Sequence, residues 1–304
     1  MLDGMRIGME VTGVPGIFTR EYVTPGIDGM DCPADPLEYV PDVEKNDNQW
    51  VRVGEGGAVE VYDPEAQAFT ATDHKVAEEF VGYCWLDNVS QDEYAGHMLA
   101  LATVILLVED AEARAVAVDL LGRVGDHLLE HDMALQDWDG RTVEHGRFWP
   151  YAMDNFPGFN AVLGLSYVKM AAVATGREDL RAHYEDCLLQ RSGPKSCIDQ
   201  PFTRPEPYTD ALPLMGLYPD DGACKANWNN FAMAWVAFFM SALASFASSS
   251  VMPSVLTLPS SAAWKRVFSS IRTSPALSSA AMALTSGPRQ SGAILTSLPS
   301  SLAR

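Results

Sequence analysis

Apolar residues recur every three or four positions along much of the chain from Ser90 onward, and this spacing predicts helices. Ser90-Gln91-Asp92-Glu93 is a capping-box sequence: the Ser90 hydroxyl can accept from the Glu93 N–H while the Glu93 side chain reaches back. Behind it Tyr94, Met98, Leu101, Ala102, Ile105 and Val108 share one helical face. Asp110 restarts the chain as an N-cap, and Ala113, Val116, Ala117, Leu120, Leu121, Val124 and Leu128 predict a second helix ending near His131. A turn this short makes the pair an antiparallel αα-hairpin. After a loop rich in aromatic and charged residues, Phe159, Val162, Leu163, Leu165, Tyr167, Val168, Met170 and Ala171 predict a third helix that stops at Thr175-Gly176. A shorter helix follows with Leu180, Tyr184, Leu188 and Leu189, and Asn227 or Asn229 caps another through Phe231, Trp235 and Phe238. The fold class this predicts is all-α, built from antiparallel helical hairpins.

The beginning of the chain is less regular. Leu2, Met5 and Met9 are spaced as on one helical face, whereas Met5, Ile7, Met9 and Val11 alternate as in a strand; Thr12-Gly13 as a C-cap tips the reading to a helix. Residues 14–87 are rich in Pro, Gly and Asp and have little period. Within them Trp50–Val53 and 58–62 alternate well enough for a small β-hairpin around Gly54, Gly56 and Gly57. The stretch is expected to be an elaborated loop over one end of a helical domain spanning 1–240.

Charge then divides the chain. All 40 Asp and Glu lie at or before Asp221, and only six of the 21 basic residues follow it, so the first 221 residues carry −25 and the remainder +6. Such an acidic body excludes nucleic acid and anionic membrane surfaces as partners, which would repel it at long range. From about Ser241 the chain is mostly Ser, Ala, Pro and Leu. Residues 241–304 are read as a low-complexity, disordered or frame-shifted tail without function. The longest apolar run, 231–246, is shorter than the roughly 20 residues a membrane span needs. The N-terminus has no charged-then-apolar leader. The compartment expected is therefore the cytoplasm, unless an export signal is missing with an absent N-terminal part. Five cysteines without C-x-x-C spacing are expected to be free thiols, with one bridge such as Cys187 to Cys197 allowed in an exported protein.

Several segments together resemble a bacterial family of uncharacterised proteins among the six-hairpin glycosidase-like α/α toroids. They are Trp85-Leu86-Asp87-Asn88-Val89-Ser90-Gln91-Asp92-Glu93-Tyr94-Ala95-Gly96, the turn from Asp137 to Gly146, the helix from Asn155 to Gly176, and Asn227-Trp228-Asn229-Asn230-Phe231. The resemblance covers 2–240 and implies an incomplete (α/α) toroid, with fewer hairpins than a closed ring needs. It also implies that the loops before inner helices gather at one mouth.

Carboxylates beside aromatic rings are what a sugar site requires, as acid/base groups and as flat faces for the sugar. Asp92 and Glu144 are the catalytic candidates on this reading. Trp85, Tyr94, Trp138, His145, Trp149, Asn155 and Trp228 are the candidates for binding a carbohydrate or other small-molecule ligand. Each has a plainer explanation: Asp92 complements the dipole of its helix, and Glu144 with His145 is a polar loop pair. His127 and His131 are four apart at a helix C-terminus without a third ligand in view, so no metal and no cofactor is assigned. Two other functions fit the same residues. One is a non-catalytic helical binding or scaffold protein, and the other is a toroid enzyme for an apolar, isoprenoid-like substrate.

Overall fold

The computed structural model describes residues 1–26, 32, 45, 48–63, 65–150, 152, 157–189 and 208–211, all in the first of the two units of the chain, Met1–Ser249. Asn155, Trp228, the helix expected from Asn227 or Asn229 and the tail from 241 lie outside the described residues.

The helices follow the apolar period. α1 (Leu2–Glu10) buries Met5 and Met9 and ends where Gly13 turns left-handed at φ 70°. α2 (Gln91–Leu107) begins on the capping box, with the Glu93 carboxylate accepting from the Ser90 N–H at 2.8 Å. α3 (Ala111–Glu130) begins on Asp110, which accepts from the Ala113 N–H at 2.7 Å. α4 (Pro157–Thr175) is buried on almost every side, between α2, α3, α5 (Glu178–Ala182) and α6 (Tyr208–Ala211). A helix that is apolar all round belongs in such a central position. Gly125 lets α3 press close to it, since a Cβ there would stand 2.9 Å from the Ala171 methyl group. Leu101, Leu120, Val124, Leu128, Leu163 and Val168 fill the space between these helices.

The stretch expected to be a loop is instead a sheet, and this overturns the all-α reading. β1 (Glu21–Val23), β2 (Trp50–Val53), β3 (Ala58–Asp63), β4 (Ala68–Lys75) and β5 (Cys84–Leu86) form a five-stranded antiparallel sheet in the order β1-β5-β2-β3-β4. The expected β2–β3 hairpin is present, but only as the middle of this sheet. Part of the expected loop at 136–155 is also a ribbon, β6 (Ala134–Gln136) paired with β7 (Thr142–Arg147). The chain therefore combines helices with antiparallel sheet, and neither an all-α class nor an α/α toroid describes it; the toroid enzyme for an apolar substrate falls with that fold. The reason is that the missing strands carry no strong local period. β1 and β5 are three residues each and find their partners far along the chain, and β4 exposes much of both faces.

The sheet has its own apolar cluster: Val51, Val53, Val59, Val61 and Trp85, packed with Val11 of the α1 end and with Trp138. Trp85 lies at its centre, opposite Tyr22 on one side and Val51 on the other. Cys84, beside it, is bonded to Cys32 with the two Cα atoms 5.9 Å apart, a normal span for the bond. Cys187 is disulfide-bonded as well, while Cys197 lies outside the described residues. The free-thiol expectation fails for these three cysteines; for Cys32 and Cys84 the reason is that a pairing across 52 residues leaves no mark in local spacing.

Candidate functional site

The link from β5 to α2 meets the β6–β7 ribbon, and a buried polar knot joins them. Asp87 leaves β5 with its side chain fully buried. Its Oδ1 accepts from the Gln49 N–H at 2.8 Å, and its Oδ2 accepts from the Trp138 indole N–H at 3.1 Å and from the Lys45 ammonium. The same ammonium donates to Asp137 at 2.9 Å and stands 3.6 Å from Asp139. Asp137 also accepts from the amides of Asn88 and Trp138, both at 2.8 Å, and Asp139 is held by Arg141 at 2.6 Å. Three carboxylates thus share two cations, nearly out of water.

Burial is the largest influence on Asp87, Asp137 and Lys45, and the charges around them decide the outcome. Asp87 is pushed up to about 6 by burial and the neighbouring Asp137 charge, which together outweigh Lys45 and the Gln49 amide. Burial acts the same way on Asp137, but Lys45 and the two amides outweigh it, so Asp137 falls below the usual carboxylate range. Burial would lower the Lys45 ammonium; the charges of Asp137, Asp87 and Asp139 raise it instead.

Asn88 carries the knot outward. It adopts a left-handed φ of 58°, which Asn tolerates better than most residues. This turns its amide to Asp137 and its side-chain carbonyl to the Glu144 N–H at 2.9 Å. Arg20 bonds the Asn88 carbonyl oxygen and the Asn48 side chain, both at 2.9 Å, and pairs with Glu93 at 3.2 Å. Two residues on, the Ser90 hydroxyl donates to Asp92. Gln91 donates to Asn160 of α4 at 2.7 Å, Asn160 donates to the Trp149 carbonyl oxygen at 3.1 Å, and the Tyr167 hydroxyl donates to the Gln91 carbonyl oxygen at 3.0 Å. The start of α2, the ribbon and α4 are therefore cross-linked.

Placed on this frame, the candidates from sequence separate into two groups. Glu144 and His145 are accessible on β7, with their side chains 44% and 52% exposed and 3.7 Å apart. Asp92 is half-buried in the first turn of α2. The four aromatic candidates lie within the packing: Trp85, Tyr94, Trp138 and Trp149 are at most 5% exposed. The Tyr94 hydroxyl is spent on the backbone, donating to Gly16 O at 2.6 Å and accepting from the Phe18 N–H at 3.1 Å, and burial drives its pKa far up. The Trp149 indole donates to Asp132 O at 2.5 Å. These rings steady the frame rather than offer it a flat outer face.

The histidines in the helices serve packing. His97 stacks on Phe18 at 4.2 Å, and burial lowers it to about 4. Both ring nitrogens of His127 are engaged: Nε2 accepts from the Gln136 N–H at 3.0 Å, which leaves Nδ1–H to donate to Pro15 O at 3.2 Å. Burial, then the neighbouring His131, lower it to about 3. Sequence reasoning missed Lys45, Asn88 and Asn160 as organising residues. Lys45 lies in a polar run that reads as a solvated surface, and a left-handed Asn has no signal besides its own tolerance for that conformation.

The resemblance to the six-hairpin toroids rests on the segments 85–96, 137–146, 155–176 and 227–231; the first of these begins in the five-stranded antiparallel sheet and the second runs into the β6–β7 ribbon, and this sheet structure is foreign to such a ring. No family model, no curated protein and no solved structure matches the chain.

Proposed function

We propose that the chain recognises a carbohydrate or similar polyhydroxyl ligand where the start of α2 meets β7, with Asp92 and Glu144 as its acid/base pair. The observation behind this reading is that the Asp92 carboxylate and the backbone of Glu144, both residues within reach of solvent, are tied to the same short stretch of chain, 88–90. Asn88 accepts from the Glu144 amide, and Ser90 two residues later donates to Asp92. Asn88 itself is fixed to the buried knot. A site works when its reactive groups are held by packed, hydrogen-bonded neighbours, because little ordering is then left for the bound state. In hydrolysis one carboxyl would protonate the leaving oxygen while the other activates water or attacks the sugar carbon.

The test is a screen of the full chain against a panel of polysaccharides for release of reducing ends, followed by D92N and E144Q. The reading expects turnover of one polymer, and its loss in each variant with the melting temperature unchanged. Full activity in both variants on a polymer that the wild type cleaves would refute the pair. A specific observation favours a second, non-catalytic reading. The rings that could stack on a sugar are buried, which leaves an acidic surface better suited to holding a ligand through hydroxyl or ammonium donors. Binding of a glycan in calorimetry without any turnover would select it.

A further inference from the structure

The knot around Lys45 has the parts of a condensation reaction as well as those of an ion pair. Lys45 Nζ touches Asp87 Oδ2 and stands 2.9 Å from Asp137 Oδ2, and the three side chains are 1%, 0% and 2% exposed. The carboxyls differ in character. Burial acts against the Asp137 charge, but Lys45 and the amides of Asn88 and Trp138 hold it below the usual carboxylate range, so it stays ionised. Asp139 is held by Arg141 at 2.6 Å. Asp87 alone of the three is driven toward its protonated form, by burial and then by the Asp137 charge. Each of its oxygens also has a place: Oδ1 accepts from the Gln49 N–H at 2.8 Å, and Oδ2 accepts from the Trp138 indole at 3.1 Å.

We propose that Lys45 and Asp87 close to an intramolecular amide bond, with Asp137 as the base that moves the proton. The bond belongs to the frame and holds whichever ligand the neighbouring surface takes. Burial disfavours the Lys45 ammonium, but the charges of Asp137, Asp87 and Asp139 outweigh it, so the charged pair is the resting form and closure is slow. A proton passed from Nζ to Asp87 Oδ2 turns that pair into an amine and a carboxylic acid with no change in net charge, which a site without water tolerates better than bulk solvent does. The amine then bonds to Cγ of Asp87, and negative charge develops on Oδ1, where the Gln49 N–H already points. Asp137, within hydrogen-bond reach of Nζ, takes a second proton from the nitrogen and delivers it to the Oδ2 hydroxyl. The Cγ–Oδ2 bond breaks and water leaves. Of the three ammonium protons two depart in that water and one stays on the amide nitrogen, Asp137 is a carboxylate again, and nothing is oxidised or reduced. Groups held in contact react as though present at about 10⁵ M or more, and exclusion of water opposes the reverse hydrolysis. The ion pair is the reactant: it forms on folding, and the titration of Asp87 belongs to the chain that has not yet closed. The bond spans 42 positions, from the approach to β2 to the exit of β5, and so encloses β2, β3, β4 and β5 in one covalent loop.

The test is the mass of the full chain, reduced and unfolded, followed over days at neutral pH after refolding. Most wild-type molecules should become lighter by one water. Their tryptic digest should hold one branched peptide, uncut after Lys45, whose fragments join the Lys45 side chain to that of Asp87. K45M and D137N should both keep the full mass, the first for want of the amine and the second for want of the base. A wild type that keeps its full mass would overturn the proposal. So would a loss of water located elsewhere, such as the Asp139-Gly140 step, or a bond from Lys45 to Asp137 or Asp139. Closure of D137N at the wild-type rate would overturn it as well, since the proton would then move without Asp137. If D137N does not fold, the branched peptide of the wild type still decides.

Discussion

Replacing Lys45 by Met isolates the energetics of the buried knot. The substitution keeps most of the apolar stem and removes the ammonium that Asp87 and Asp137 share. Breaking a buried ion pair by deleting one partner costs about 3–5 kcal/mol, because the remaining charge is stranded. Here two carboxylates are stranded together, so the upper part of that range is expected at pH 7.5. The loss should depend on pH in a defined direction. In the wild type Asp87 is raised from 3.8 to about 6, so between these values the folded state holds a proton that the unfolded state has released. Stability from this group is therefore greatest below pH 3.8 and declines as the pH rises through 6, by about 3 kcal/mol for a shift of this size. Asp137 is depressed, so its contribution is present above pH 3.8 and is lost as the pH falls through its lower folded value. The two together put the optimum of the knot near pH 4. In K45M both carboxyls lose their cation and both titrate upward, so the variant should recover much of its loss at pH 4.5 and decline more steeply than the wild type up to pH 7.5. Urea denaturation followed by circular dichroism at these two pH values measures it. A K45M protein whose stability runs parallel to that of the wild type, or falls short of it by under about 1 kcal/mol at pH 7.5, would refute the reasoning.

Three further substitutions probe the same frame. D87N should flatten the decline between pH 4 and 6 in that titration, yet still cost about 1–3 kcal/mol, since one oxygen cannot accept from Gln49, Trp138 and Lys45 together and the new NH2 faces a donor. Y94F should cost about 1–3 kcal/mol in urea by stranding Gly16 O and the Phe18 amide, with the helical dichroism retained. G16A combines a φ of 88° with a Cβ only 2.5 Å from Arg123 O; it should lower stability by about 1–3 kcal/mol, and a neutral thermal melt would show that the 14–17 turn can move.

What was legible in the sequence was whatever repeats locally. The faces of α2 and α3, the capping box at Ser90 and the cap at Asp110 follow from spacing and side-chain chemistry within a few residues of each element. The β2–β3 hairpin was legible for the same reason, through its alternation and its glycines. β5 was not, because Cys-Trp-Leu becomes a strand only by lying between β1 and β2, which arrive from distant parts of the chain. The knot was hidden by its polarity: Lys45, Asp87 and Asp137 are residue types expected in water, and only their mutual neutralisation makes burial tolerable. The aromatic candidates are the converse case. Trp and Tyr beside carboxylates look like a ligand platform, yet Trp138 and Tyr94 turn their polar ends to Asp87 and Gly16 inside the fold.

The strand order has a consequence for how the molecule is made. β2, β3 and β4 form a meander that can pair as soon as it leaves the ribosome, but its β2 edge is open until β5 is synthesised, and β5 is only three residues long. An unpaired edge that carries Trp50 and Val51 is a template for pairing with another chain. The growing protein is therefore most prone to association during the interval between β4 and β5, and a pause in translation at that point should raise aggregation far more than one placed inside α2.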